Sequence, residues 1–228
     1  MTEKSPETSP AIRLIIAPEL EALGIKAKGA LIRGAEIKKN LPGALKRHIK
    51  TELTRVDIRS LLESPVVNGY RELYRLHGEQ ETAPASETLL RLIEKQGRLP
   101  NINTIVDSYN MVVAQTGYAI GAHDAARLKG NVTIRKTDGT EQYTPIMQTE
   151  PVIVPAGKYA AVDDSGEVIC WMETRQSNVT KIVPGQTEEV FLYVQGNQAS
   201  SKGEVCMVLQ HVCDTIKEYC GGSYMLLS

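Results

Sequence analysis

The spacing of apolar residues changes period near Asn131 of this 228-residue chain, and that change limits its fold more than any other feature. Before it, apolar residues recur at helical spacing: Leu45, Ile49, Leu53, Val56 and Leu61, then Tyr70, Leu73, Tyr74 and Leu76, then Leu89, Leu90, Leu92 and Ile93. These predict helices over 42–62, 66–76 and 84–95, with Pro65 separating the first two and Gly97 closing the third. Pro100 with Asn101 or Asn103 opens a fourth, which runs to about Gln115 and stops at Gly117. After the change, strand-like runs follow at 131–136, 141–143, 152–154, 159–162, 168–174 and 190–195, with a hairpin signal at Asp138-Gly139. Two further strands, 12–17 and 25–32, flank a helical turn at the start, and a helix over 203–219 ends the pattern. Helices, then mostly antiparallel strands, then a helix predict an α+β fold with a helical N-terminal part. No linker is long enough to divide it. The expected organisation is a disordered tail over 1–10 and a single domain over 11–228, with strands and helices in 11–99 and a pocket helix, strands and final helix in 100–228.

Polar residues crowd one stretch of this pattern. Asn101, Asn103, Asp107, Asn110, His123 and Asp124 stand at close spacing among apolar neighbours. Each buried polar group left unpaired costs roughly 1–3 kcal/mol, so a pocket that reads a polar ligand explains them better than a core does. Asn103, Asp107 and Asn110 fall at helical i, i+4 and i+3 spacing and are expected on one face. Gly121 and Ala122 beside His123 would allow a ligand to approach closely, and histidine exchanges protons near neutral pH. The alternative is that His123 bonds to backbone and Asp124 merely caps a turn. Arg175, Gln176 and Ser177 at a strand end could grip a phosphate, carboxylate or ribose hydroxyl. An ordinary exposed edge would look similar.

Composition narrows the class. No apolar run approaches the roughly 20 residues that span a bilayer, and the first ten residues lack a signal-peptide pattern, so a cytoplasmic protein without membrane contact is expected. Four cysteines suit a reducing compartment. Cys206, Cys213 and Cys220 recur every seven residues, which on a helix separates neighbours by roughly 10 Å, too far to share one zinc ion. No metal or cofactor is expected, because phosphate-binding glycine loops, nucleophile elbows and paired-cysteine motifs are absent from the sequence. Net charge is −1, which speaks against DNA binding, yet residues 26–59 carry a local net of +7. Lys46, Arg47 and Lys50 in that segment could meet tRNA phosphates, or could simply form a solvated helix face.

The sequence resembles the tRNA-binding and editing domain, of the B-three/B-four type, in the phenylalanyl-tRNA synthetase β subunit, here in freestanding form. The resemblance runs from about Asn101 to Gly196. It rests on Val106-Asp107 and Asn110, Gly121-Ala122-His123-Asp124, Leu128-Lys129-Gly130-Asn131-Val132, Ile169-Cys170-Trp171, Arg175-Gln176-Ser177, Val179-Thr180-Lys181 and the Phe191–Gly196 run. It implies an editing-domain fold of mostly antiparallel sheets flanked by helices. It also implies a deacylase that hydrolyses the ester of a mischarged aminoacyl-tRNA in trans, where binding alone cannot separate similar amino acids. His123, Asp124, Asn110 and Asp107 would then be catalytic, acting through a positioned water. Asn101, Asn103, Gly121, Ala122, Arg175, Gln176 and Ser177 would bind substrate, and Lys46, Arg47 and Lys50 would contact tRNA.

Aminoacyl-tRNA is the implied partner, with an aminoacyl-tRNA synthetase as a second. Tyr109 stands where the synthetase has threonine, the histidine is displaced within its motif, and the synthetase's substrate-reading glutamate falls near Glu189, so a tyrosine preference does not carry over. Two alternatives stay open: a non-catalytic tRNA- or RNA-binding module, and a small-molecule protein that binds an amino acid or nucleoside.

Overall fold

The computed structural model describes residues 12–173 and 175–227; the tail expected over 1–10 lies outside the described residues. The N-terminal part holds strand β1 (Leu14–Ile16), helix α1 (Pro18–Glu21), strand β2 (Lys26–Arg33) and helices α2 (Gly43–Leu53), α3 (Ile58–Leu62), α4 (Pro65–Leu76), α5 (Ala85–Gln96) and α6 (Thr104–Thr116). Strands β3 (Ala119–Asp124), β4 (Val132–Lys136), β5 (Gln142–Tyr143), β6 (Val152–Ile153), β7 (Tyr159–Asp163), β8 (Val168–Trp171), β9 (Arg175–Gln176) and β10 (Glu189–Gly196) follow. Helix α7 (Lys202–Cys220) and strand β11 (Ser223–Leu226) complete the order.

The strands form two main sheets and a ribbon. One sheet runs β1-β4-β7-β8-β9, with only the β1–β4 pair parallel (Leu14 opposite Val132). The other, β11-β2-β10-β3, is antiparallel throughout. Strands β5 and β6 make the ribbon. Helix α6 packs between α2 and α7, and α7 lies on β2 and β10. This is an α+β architecture of mostly antiparallel sheets flanked by helices. A continuous hydrophobic cluster reaches from Leu20 to Cys220, with Tyr70, Tyr74, Tyr159, Phe191 and Tyr193 among its largest fully buried side chains.

Local signals explain most helix ends. Ser64 caps α4 by accepting from the Val67 amide, and Pro65, expected to end a helix, begins this one. Asn103 caps α6, its Oδ1 accepting from the Val106 amide at 2.9 Å. Gly117 follows in the left-handed conformation that ends the helix. Ser201 and Glu204 form a reciprocal capping box on α7.

Three expectations need correction. The helix expected over 42–62 is two helices, because Asp57 turns the chain and caps α3 through the Ser60 amide at 3.1 Å. Asp138-Gly139 does not join a hairpin, since β4 pairs with β7 while β5 pairs with β6. The amides of Asp138 and Gly139 wrap instead around the buried Glu141 carboxylate at 3.0–3.1 Å. Finally, β3 and β11 are strands where none was predicted.

Because the Asn103 side chain holds the first turn of α6, Asn103→Ala should cost about 1 kcal/mol. That corresponds to a Tm lower by about 2–4 °C in thermal unfolding of a chain this size. An unchanged Tm would show that the cap contributes nothing.

Candidate functional site

Strands β3 and β9 are edge strands of the two different sheets, and they approach each other. Gln176 Nε2 on β9 donates to the Ala122 carbonyl on β3 at 2.6 Å, and the Asp124 amide donates to the Thr180 carbonyl at 2.8 Å. Helices α5 and α6 lie over the junction. Between them is a cavity of about 100 Å³, walled by Ser86 and Leu89 of α5, Tyr109, Asn110 and Val113 of α6, Gly121 and His123 of β3, and Cys170, Glu173 and Gln176.

The polar atoms of this wall set it apart from a core. Ser86 Oγ, His123 Nε2 and Glu173 Oε1 are buried and have no hydrogen-bond partner. Buried polar groups are paired in the great majority of cases, so three unpaired atoms around one space mark a place where a polar ligand can supply the partners.

His123 is fully buried, with Nδ1 2.9 Å from the Thr180 hydroxyl and its ring stacked on Tyr193 at 5.9 Å. Burial pushes its pKa down to about 3, so the ring is neutral at physiological pH. Glu173 is equally buried. Burial pushes its carboxyl up to about 7, even though Tyr159 and Tyr74 donate hydrogen bonds to it. Burial also pushes the Cys170 thiol up to about 12, which leaves it a poor nucleophile.

Glu173 is held from behind. The Tyr159 hydroxyl donates to Glu173 Oε2 and accepts from Gln195 Nε2 at 3.4 Å; the Tyr70 hydroxyl donates to the Gln195 carbonyl and accepts from the Ala119 amide at 3.0 Å. Met172, immediately before Glu173, has φ of +55°, which is costly for a residue with a side chain and occurs in the turn between β8 and β9.

Of the residues singled out in the sequence, His123, Asn110, Gly121 and Gln176 meet at this cavity. Others are placed elsewhere. Asp124 is occupied structurally, with Oδ1 accepting from the Ala126 amide at 3.1 Å and Oδ2 from the Thr187 hydroxyl at 2.9 Å. Asn103 is the α6 cap, and Ala122 takes part through its backbone carbonyl. Arg175 pairs with Glu79 at 2.7 Å and lies over the Trp171 ring, while the Ser177 hydroxyl donates to Glu167 at 2.8 Å.

Asp107 does not open on the same space as Asn110. It lines a second cavity of about 450 Å³ together with Asn101, Lys46 and Lys50, over an apolar floor of Leu41, Ile49, Leu53 and Leu99. There the Ile102 amide donates to the Asp107 carboxylate at 3.1–3.2 Å, and burial pushes its pKa up to about 6. Arg47 is exposed on the same helix, α2. Glu189 pairs with Arg33.

Ser86, Tyr193 and above all Glu173 carry no comparable sequence signal. Glu173 follows the apolar run Val168–Met172, and that position is the one hint that a carboxylate is carried inward.

The B3/4 domain family matches residues 70–221 of the chain. None of the curated proteins compared matches it. Among solved structures, an N-terminal fragment of the phenylalanyl-tRNA synthetase β-subunit from Pyrococcus horikoshii is similar, with a TM-score of 0.50 and 14% identity. That likeness covers 97% of this chain and 52% of the fragment, so the chain spans about half the length of the structure it matches. At this identity the likeness is one of fold. With a family match extending from within α4 to the end of α7, the chain belongs to the B3/4 domain family.

Proposed function

We propose that this protein hydrolyses the ester of a mischarged aminoacyl-tRNA in trans. The observation that carries the reading is the small cavity of a B3/4 domain whose wall holds three buried, unpartnered polar atoms, one of them on a carboxylate that exchanges its proton near neutral pH.

In this reading the attacking group is water. The ionised Glu173 takes a proton from the water as its oxygen bonds to the ester carbonyl carbon. The tetrahedral intermediate collapses with cleavage of the bond to the ribose oxygen, which receives the proton back from Glu173. Free amino acid and uncharged tRNA leave. His123 is too weak a base to serve as the proton acceptor. In the tautomer that accepts from the Thr180 hydroxyl at Nδ1, the ring proton sits on Nε2 and is donated to the ester carbonyl as charge develops there. Asn110 and Gln176 position the ester at the cavity wall. The Cys170 thiol argues against a covalent intermediate, because it stays protonated.

Lys46, Arg47 and Lys50, exposed along α2, supply phosphate contacts to the tRNA in the same reading. Among the described residues no helix is long and apolar enough to cross a membrane. The reading places the protein with the translation machinery of the cytoplasm, where a synthetase producing the mischarged species would be its functional partner.

Single-turnover deacylation of a panel of correctly and wrongly charged tRNAs tests this. One mischarged species should be released selectively, with a rate that rises with pH through about 7. Glu173→Gln and His123→Ala should each lower that rate by roughly 10²- to 10⁴-fold. No release from any species, with salt-sensitive tRNA binding retained, would replace the deacylase with a binding module. Neutralising Lys46, Arg47 and Lys50 together should weaken tRNA binding and reduce the slope of log affinity against log salt by about 3. An unchanged slope would remove α2 from the interface.

Glu173 also makes a stability prediction. Its carboxyl rises from an ordinary 4.5 to about 7 on folding, so the folded chain holds the proton more tightly. The stabilisation is full below pH 4.5 and lost as pH rises through about 7, a difference of about 3 kcal/mol. The Tm of Glu173→Gln should therefore gain on that of the native protein between pH 4.5 and 8. A difference that does not change with pH would contradict the raised carboxyl.

A further inference from the structure

The cavity that holds Ser86, His123 and Glu173 is too small for an aromatic ring. Its volume is about 100 Å³, whereas a buried cavity that accepts benzene measures about 150 Å³. Tyr193 packs against two of its lining residues, Gly121 and His123. In the pairing of β10 with β3, Tyr193 stands directly opposite Gly121 and Phe191 directly opposite His123, so the side chains of Tyr193, Phe191 and His123 share one face of that sheet with the Gly121 position. The Tyr193 ring lies across Gly121, where a Cβ would come within 2.8 Å of its Cε1, and continues as a stack on the His123 imidazole, 7° from parallel. Gly121 has no side chain because the ring takes that space.

What remains is narrow and polar. In the deacylase reading Glu173 Oε1 and His123 Nε2 are taken by the water and the ester, which leaves Ser86 Oγ, able to donate or accept, for the side chain. The Tyr193 hydroxyl is also buried beside the cavity wall, with the weakly bonding Cys170 thiol as its neighbour. A side chain of the right size but without polar atoms would leave Ser86 Oγ unpaired, which costs about 10- to 100-fold in affinity or rate.

We infer that the pocket takes an aminoacyl group with a small, hydrogen-bonding side chain of serine or threonine size, and that the Tyr193 ring is the element that shuts out aromatic side chains. The inference rests on the deacylase reading for the ester itself; the selection by size and polarity comes from the cavity walls.

Two measurements on the full chain separate the inference from that reading. The first is release of serine, threonine, alanine, valine, phenylalanine and tyrosine from charged tRNA. The second is calorimetric binding of non-hydrolysable 3′-aminoacylamino-adenosine analogues carrying serine, valine or tyrosine. Serine or threonine should be released at least tenfold faster than alanine or valine, and tyrosine and phenylalanine slower still. The serine analogue should bind at least tenfold more tightly than the other two. Tyr193→Ala should raise release of phenylalanine and tyrosine at least tenfold, while Tyr193→Phe, which keeps the ring, should leave them excluded. If Tyr193→Ala does not fold, the native ranking and Tyr193→Phe decide.

Aromatic esters released as fast as serine by the native chain would overturn the inference, as would equal analogue affinities. Loss of the aromatic exclusion in Tyr193→Phe would overturn the role of the ring. Release from no ester with the serine analogue still bound most tightly would remove the deacylase reading and support the selectivity. No release and no analogue binding would remove both.

Discussion

A carboxylate buried without a cationic partner is among the least favourable groups a fold can carry, and Glu173 is buried completely. Its nearest supports are neutral hydroxyls. Tyr159 and Tyr74 donate to it, and behind Tyr159 the chain of bonds runs through Gln195 to Tyr70 and the start of β3. Arg175, whose charge would favour the ionised form most, is paired with Glu79 and leaves only a long-range influence. The group therefore keeps its proton up to about neutral pH, the condition in which it can both accept and return one. A core gains nothing from such a group, and this is the ground on which we propose that the carboxyl acts in the site.

The rest of the architecture follows from bringing that carboxylate to the cavity. Strand β10 lies at the centre of its sheet, paired on one side with β2 and on the other with β3. Its alternation sends Phe191, Tyr193 and Gln195 to one face, so a single strand supplies a neighbour for His123, the barrier across Gly121 and a link in the chain that holds Glu173. The β8–β9 turn carries Glu173 in from the other sheet, with Met172 in a strained backbone conformation. Helix α6 then divides the interior side of the site from a larger, basic-rimmed cavity at its N-terminal end.

How much of this could be read in the sequence depended on how local each signal was. Helices α4 to α7 were legible because their apolar residues recur at helical spacing, with Asn103 capping α6 and Gly97 and Gly117 ending α5 and α6. Strand β3 was not. Its Ala-Ile-Gly-Ala-His-Asp sequence is almost wholly buried, and a strand covered on both faces loses the alternation that identifies strands.

The site divided along the same line. His123 and Asn110 stood out as polar residues in apolar surroundings, and they do reach the cavity. Helical spacing also grouped Asn103, Asp107 and Asn110, but one became a cap and the other two open into different cavities. Spacing says which side chains are neighbours on a helix and nothing about what packs between them. Glu173, Ser86 and Tyr193 owe their importance to elements far apart in sequence, so nothing local could mark them.

The central claim is that Glu173 is a protonatable carboxyl poised at neutral pH in the wall of a ligand cavity. Carboxyl-carbon NMR of protein labelled at its glutamates tests it most directly, with the Glu173 resonance assigned by its loss in Glu173→Gln. The account predicts a titration centred near 7, apart from the surface glutamates. A Glu173 carboxyl that titrates at the ordinary 4.5 would mean that the group is solvated and ionised, and the account of the site would fail.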